Sequence, residues 1–421
     1  MTRTDAAVGG LVLALALLIG CSTSQDDATV DTSAVTAEPT IAAAESTPPP
    51  TVQPDPHVDA VSGAGPTWHP ENNPESLDAW GQLAVVQGVL APVDDVLAYE
   101  LNSALFSDHA HKLRTVWLPE GAGPADYDGT DTFAFPVGTV ITKTFWYPLP
   151  DGAAAHDGRV LQTATPADLV PTIDLATSRV VETRILVHRA DGWEALPYVW
   201  NAEQTEATLQ RTGDLQILTL VAADTGSDEP EAEFPYVVPN VNQCAGCHAT
   251  NHTSGEIVPI GPKARHLNRT IDAGFGAINQ LDHWRTTGLL AGGPSAEEAP
   301  RSAIWTDPTA PLDARARAYL DINCAHCHNE VGPADTSGLF LEPTTPVDRA
   351  LGLCKPPVAA GSGTGGRQFG IAPGEPADSI FVYRMQTTDP GEMMPELGRA
   401  RPHEEGIELI SAWIATLPGS C

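Results

Sequence analysis

Several short stretches in the first half of the chain alternate apolar with polar positions and are rich in Val, Ile, Thr and aromatic residues. This pattern predicts β-strands. The stretches are residues 132–147, 180–188, 193–200 and 215–221. Asp191 and Gly192 stand between the second and third stretches, a dipeptide typical of hairpin turns. The pattern predicts a β-rich, sandwich-like domain over residues 67–240.

The second half of the chain instead carries apolar residues at helical spacing. Residues 271–290 place apolar side chains three or four positions apart, which predicts a helix. Asp313 is predicted to cap a second helix that runs through an alanine-rich stretch. A last helix is predicted over residues 404–417, with one apolar side formed by Ile407, Ile410, Trp413 and Ile414.

The pattern Cys-x-x-Cys-His occurs twice, at residues 244–248 and 324–328. It is the pattern for covalent attachment of c-type haem, in which two thiols add to the vinyl groups of the porphyrin and the histidine binds the iron. The sequence therefore predicts two covalently bound haems. The predicted attachment residues are Cys244, Cys247, Cys324 and Cys327, and the predicted proximal iron ligands are His248 and His328.

A low-spin haem needs a second axial ligand, and the methionines after the second motif suggest one. Met394 directly precedes Pro395, so we predict it as the distal ligand of the second haem, with Met393 as the alternative. The first haem has no methionine between its motif and the next one. Its distal candidates are Met385, His266 or His283. An open sixth position on this haem remains an alternative.

The N-terminal residues predict export. Residues 1–20 contain an apolar run too short to span a bilayer comfortably, which is typical of a signal peptide. Cys21 follows in a lipobox-like setting and is the predicted site of lipidation. Residues 21–66 are poor in aromatic residues and rich in Ala, Thr, Ser, Pro and Asp, which predicts a disordered tether. We therefore expect an envelope protein, in the periplasm or at the outer membrane, held by a lipid anchor.

The net charge bears on the kind of partner, and the remaining cysteines bear on a possible disulfide. The formal net charge of −32 makes nucleic acid an unsuitable partner and favours basic redox proteins. Cys354 and Cys421 are left over once lipid and haem are assigned. In an oxidising compartment they can form a disulfide or remain two free thiols.

With these motifs identified, the chain resembles a largely uncharacterised family of exported bacterial dihaem c-type cytochromes. The resemblance rests on FPVGTVITKTFWYP, ETRILVHRADGWEALPYVWN, FPYVVPNVNQCAGCH, IGPKARHLN, RARAYLDINCAHCH and MMPELGR. It implies an α+β, multi-domain protein: a β-rich domain, a first haem segment at 241–300, and a mainly α, cytochrome c-like second haem domain at 301–421.

Three functions compete at this point. The first is single-electron transfer between envelope redox partners, with no catalytic residues assigned. The second is a dihaem oxidoreductase of the peroxidase type, with the first haem open to a ligand. The third is structural zinc bound by the Cys and His residues, which needs a fourth ligand at each motif. The duplicated motif and the export signal weigh against zinc. The missing methionine for the first haem favours the enzyme, whereas the lack of a recognisable acid/base constellation beside the first motif weighs against it.

Overall fold

A computed structural model describes residues 65–164, 166, 168–223, 231–272, 276–358 and 360–421 of the chain. The predicted signal peptide, the lipidation site Cys21 and nearly all of the predicted tether lie outside these residues. The strands are β1 (Leu83–Val86), β2 (Val89–Pro92), β3 (Leu97–Tyr99), β4 (His111–Trp117), β5 (Ala125–Asp126), β6 (Val140–Pro148), β7 (Arg159–Gln162), β8 (Ile173–Asp174), β9 (Ser178–Arg189), β10 (Gly192–Trp200), β11 (Ala207–Leu209), β12 (Asp214–Ala222), β13 (Ala232–Val238), β14 (Thr270–Asp272), β15 (Ala277–Asn279) and β16 (Leu290–Ala291).

The α-helices are fewer and shorter. They are α1 (Val241–His248), α2 (Ala264–Leu267), α3 (Gln280–Thr286), α4 (Leu312–Leu320), α5 (Ile380–Gln386) and α6 (Glu404–Thr416). A π-helical turn, Asp321–Ala325, continues α4 into the second motif. None of the helices in the described ranges has both the length and the apolarity of a membrane-spanning segment.

A central six-stranded sheet in the order β11-β10-β9-β6-β4-β3 confirms the β-rich first half. All its strand pairs are antiparallel, and β9 turns into β10 at Asp191, as the hairpin signal predicts. Two three-stranded sheets, β1-β2-β8 and β13-β12-β7, accompany it, so the region consists of several sheets. Every residue of β4 is buried, because separate apolar clusters form around the sheets.

The helix predicted over 271–290 is wrong for most of its length. A two-stranded ribbon, β14-β15, occupies its start, and residues 273–275 lie outside the described part of the chain. Helix α3 begins only after Asn279, whose side chain accepts the Leu281 N–H at 2.9 Å and caps the helix. Gly288, with φ +76°, follows its end. The apolar spacing over residues 271–290 therefore arises from a two-stranded ribbon followed by a short helix, and not from one long helix.

The C-terminal third contains helices, but a mainly α domain is not evident. Helix α6 agrees with the predicted last helix, while most other residues after α4 form turns and loops. Asp313 does not cap α4: its N-cap is Pro311, and the Asp313 carboxylate accepts the Trp413 Nε1–H at 2.9 Å. The described residues all belong to one compact unit, so a multi-domain arrangement is not confirmed.

Two links tie the segments of this unit together. Cys354 and Cys421 form a disulfide with a Cα–Cα distance of 5.3 Å, which fixes the C-terminal residue beside a loop. Arg265 of α2 donates two hydrogen bonds to Asp321 at 2.7 and 2.9 Å, and the Asp321 side chain is almost fully buried. Because Asp321 begins the π-helical turn, this ion pair attaches the segment after the first motif to the start of the second.

Asp321→Asn should lower the free energy of unfolding by about 3 kcal/mol, because it leaves the Arg265 charge buried without its partner. Urea unfolding followed by tryptophan fluorescence measures the change. Asp282→Asn is the matched control, since the Asp282–Arg285 pair is partly exposed and its loss should cost about 1 kcal/mol or less. Equal effects of the two substitutions would contradict a structural role for the buried pair.

Candidate functional site

The first Cys-x-x-Cys-His motif forms helix α1 itself. The chain leaves β13 in an extended conformation, as the prolines in this stretch predict, and turns into the helix at Asn240. The Asn240 side chain accepts the Gln243 N–H, and the Gln243 side chain accepts the Asn240 N–H, both at 2.9 Å. This reciprocal cap starts the helix without a preceding helical turn. Cys244, Cys247 and His248 are thereby presented directly from the end of a strand.

His248 has the hydrogen bonding expected of a haem ligand. Its Nδ1 lies 2.8 Å from the Val258 carbonyl oxygen, so an Nδ1–H donates there and leaves the Nε2 lone pair free for iron. Burial, followed by the positive charge of Lys143, lowers the pKa of His248 to about 4, so the ring is neutral at pH 7. A neutral, oriented imidazole is the form that binds a metal.

The second motif begins in the π-helical turn after α4. Burial raises the pKa of the Cys324 thiol to about 12 and lowers the pKa of His328 to about 4. The His328 Nδ1 lies 3.4 Å from the Ser337 hydroxyl oxygen. The second motif therefore also presents a neutral proximal imidazole, with a weaker contact at Nδ1 than the first motif has.

The structure brings the two motifs into contact, which the sequence did not predict. The Cys327 Sγ lies 3.3 Å from the Gly246 carbonyl oxygen inside the first motif. Interactions with the Cys327 and His326 side chains lower the pKa of Cys247. The second cysteine of the second motif thus lies beside the first motif.

Hydrogen bonds between the segments that follow the motifs extend this contact. The His252 ring Nδ1 lies 3.0 Å from the Val331 carbonyl oxygen and 3.1 Å from that of Gly332. The Asn329 side-chain amide donates to the Thr250 carbonyl oxygen at 3.4 Å. The motifs therefore lie side by side over several residues.

A cleft opens between α1 and one face of the central sheet. It holds about 1280 Å³ of space, its open mouth included. Cys244, Cys247 and His248 line it on one side. Leu397 lies over Gly246 and, with Pro395 and Gly398, forms part of the wall.

Asp108 holds the loop that contains Met393 and Met394 against this cleft. The Asp108 carboxylate accepts the Ala400 N–H at 2.8 Å and the Arg401 N–H at 2.7 Å, although its own backbone is left-handed at φ +47°. Burial raises the pKa of Asp108 to about 6, against the lowering effect of those two N–H groups. Because this carboxylate is far along the chain from the loop, no sequence signal pointed to it.

The predicted distal ligands fall into two groups. Met394 lies in the loop beside both motifs: its N–H donates to the Arg384 carbonyl oxygen at 2.8 Å, and the next residue lines the cleft. Met393 is buried next to it. The positive charge of Arg384 contributes to the low pKa of His328, which places this loop near the second motif.

The three candidates for the first haem do not line its cleft. Met385 packs against the C-terminal apolar cluster that includes Cys324. The His266 Nε2 lies 3.4 Å from the Asp321 carboxylate, and His283 is buried on α3. The second imidazole in the lining is His326, whose Nδ1 is buried without a hydrogen-bond partner. Sequence reasoning missed His326 because it lies between the cysteines of the other motif.

The donor set of each motif is the one that c-type haem attachment requires. Each motif has two thiols and a neutral imidazole, and at the first motif these three groups line the cleft. Among the described residues, no group of three or more His, Cys, Asp or Glu side chains is arranged to hold a metal ion directly. A porphyrin would enter the cleft only with its walls further apart, and the Leu397 loop is the wall on the motif side.

No family model, curated protein or solved structure matches this chain. The likeness to exported dihaem cytochromes accordingly stays an expectation based on the motifs.

Oxidation of the haem-free chain should cross-link Cys247 to Cys327, because the Cys327 Sγ lies 3.3 Å from the backbone of Gly246, the residue before Cys247. Copper phenanthroline would accept the two electrons, two protons would be released, and peptide mapping without reductant would identify the pair. Cys247→Ser should abolish this cross-link, whereas Cys244→Ser, the matched control, should retain it. Disulfides confined to the interior of each motif would contradict the observed contact.

Proposed function

We propose that this chain is a dihaem c-type cytochrome that carries single electrons. The observation that supports it best is the contact between the motifs, in which the Cys327 Sγ lies 3.3 Å from the carbonyl oxygen of Gly246, the residue before Cys247. These cysteines would each attach one edge of a haem, so the two thioether-bearing edges would be neighbours. Adjacent haem edges favour electron exchange because electronic coupling falls steeply with distance.

The chain's own residues would hold and tune the cofactors. The four motif cysteines would fix the porphyrins, and His248 and His328 would bind the irons through Nε2. Met394 is the proposed distal ligand of the second haem, with Met393 as its alternative. When bound, each haem supplies one-electron exchange at its iron. The surrounding protein would exclude water and hold the imidazoles neutral through burial.

A second candidate function is an oxidoreductase in which the first haem keeps an open coordination position. The observation favouring it is the lining of the first cleft, which contains neither methionine nor any of the three predicted distal residues. His326 is the alternative ligand on that side. Cyanide separates these cases, because it binds an open or weakly held position and leaves a strongly ligated haem unchanged.

The proposed setting is the bacterial cell envelope, with a lipid on Cys21 as the anchor. The net charge of −32 favours redox partners with a basic surface. Screening by salt should then weaken the association with such a partner.

The protein matured with haem should show a mass increase equal to two haems and a c-type absorption spectrum. Changing both Cys324 and Cys327 to Ala should remove one of the two haems by mass, because the second porphyrin loses both thioether bonds. Cys354→Ser, which affects a cysteine outside the motifs, is the control and should retain both. A folded protein carrying no haem by mass would refute the proposal.

A further inference from the structure

The sheet face that lines the first cleft carries an unusual row of cations. Arg114 of β4 stands directly opposite Lys143 of β6, which in turn stands directly opposite Arg184 of β9. Like charges in directly opposed positions destabilise an antiparallel sheet. Lys112, two residues before Arg114 on the same face, makes a fourth. All four side chains line the cleft opposite Cys244, Cys247 and His248.

Only half of this positive charge is neutralised within the protein. Arg114 pairs with the buried carboxylate of Glu100, and Arg184 forms two hydrogen bonds with Glu182, at 2.6 and 2.7 Å. Neither Lys112 nor Lys143 has a carboxylate within ion-pair distance in the described part of the chain. The Lys112 side chain is 8% exposed and donates to the Ala110 carbonyl oxygen at 2.6 Å.

The surroundings of Phe145 show how closely the cations are grouped. The Lys112 and Lys143 Nζ atoms lie 5.7 and 5.2 Å from the centroid of its ring, and the Arg184 Cζ lies at 4.4 Å. An aromatic face attracts a cation but carries no net charge, so it offsets only part of the cost of grouping three cations, of which Lys112 is buried and Lys143 and Arg184 are partly buried. Burial and the neighbouring cations lower the pKa of Lys143 to about 7 and lower that of Lys112 well below its usual range. Without an anion in the cleft, both amines are therefore pushed towards their neutral form.

A purely structural role does not account for this arrangement. Burying an unpaired charge is costly, and replacing such groups by apolar residues of similar volume is often neutral or stabilising. The remainder of the protein is strongly acidic, so two lysines without carboxylate partners in one cleft run against its overall composition. The missing component is negative charge inside the cleft.

We propose that Lys112, Arg114, Lys143 and Arg184 form a binding site for anionic oxygens in this cleft. The anion is either the carboxylate pair of a haem held there or a free oxyanion. The haem carboxylates as the source rest on the proposed function, whereas a free oxyanion does not. Either anion would pair with both lysines in their charged form, and Lys143, beside the motif residues, is the principal contact.

The test uses the full chain, with its haem content measured by mass. The melting temperature is measured in phosphate and in chloride at equal ionic strength, for the parent protein and for Lys143→Met. Calorimetry measures phosphate binding to the same two proteins. Lys355→Met, which removes a lysine outside the cleft, is the matched control. Lys143→Arg keeps the charge and serves as the rescue variant.

For a free oxyanion, phosphate should bind the parent protein and raise its melting temperature in a saturable way. Lys143→Met should weaken that binding roughly 10- to 100-fold, the loss expected for one charge-assisted hydrogen bond. Lys143→Arg and Lys355→Met should bind phosphate nearly as the parent does. In buffer without phosphate, Lys143→Met should melt no lower than the parent, because it relieves repulsion along the row.

For haem carboxylates, phosphate should have no specific effect on the haem-loaded protein. Lys143→Met should instead change how the midpoint potential depends on pH, since it alters ionisation of the carboxylates, and Lys355→Met should not. The proposal is overturned if phosphate acts like chloride and the pH profiles of the potential coincide. If the chain proves to carry no haem, the proposed function fails, while the phosphate comparison still decides the anion site.

Discussion

The contact between the two Cys-x-x-Cys-His motifs is the constraint on which the arrangement of the site depends. One motif follows a β-strand and the other follows a helix, so local sequence alone does not require them to meet. Cys327 against Gly246 and Asn329 against Thr250 hold them together. The Arg265–Asp321 ion pair also joins the segment after the first motif to the start of the second and so stabilises the contact. Any cofactor bound at one motif is consequently a neighbour of the other.

The parts of this molecule that were predictable from sequence are those governed by local rules. The hairpin at Asp191 follows from turn chemistry, and the last helix follows from a continuous apolar side. The helix expected over 271–290 failed because strand and helix segments in succession imitated helical spacing. Short elements are decided by caps and glycine turns, such as Asn279 and Gly288, more than by periodicity.

Some residues of the candidate site could likewise be predicted from the sequence, and others could not. The motif residues could be identified because covalent attachment demands a fixed local spacing. Long-range partners left no such signal: Asp108 reaches the backbone of residues 400 and 401, and His326 borders the cleft of the other motif. The cation row was also hidden, because Arg114, Lys143 and Arg184 are adjacent only once the strand register is known. Tertiary pairing, and not composition, created each of these features.

The disulfide between Cys354 and Cys421 has a consequence for how the chain is assembled. The two cysteines are 67 residues apart, and all four motif cysteines precede Cys354 in the chain. Where oxidation begins before Cys421 is made, Cys354 meets the motif thiols before its native partner. Correct pairing therefore depends on the motif thiols being unavailable for oxidation until Cys421 has docked beside Cys354.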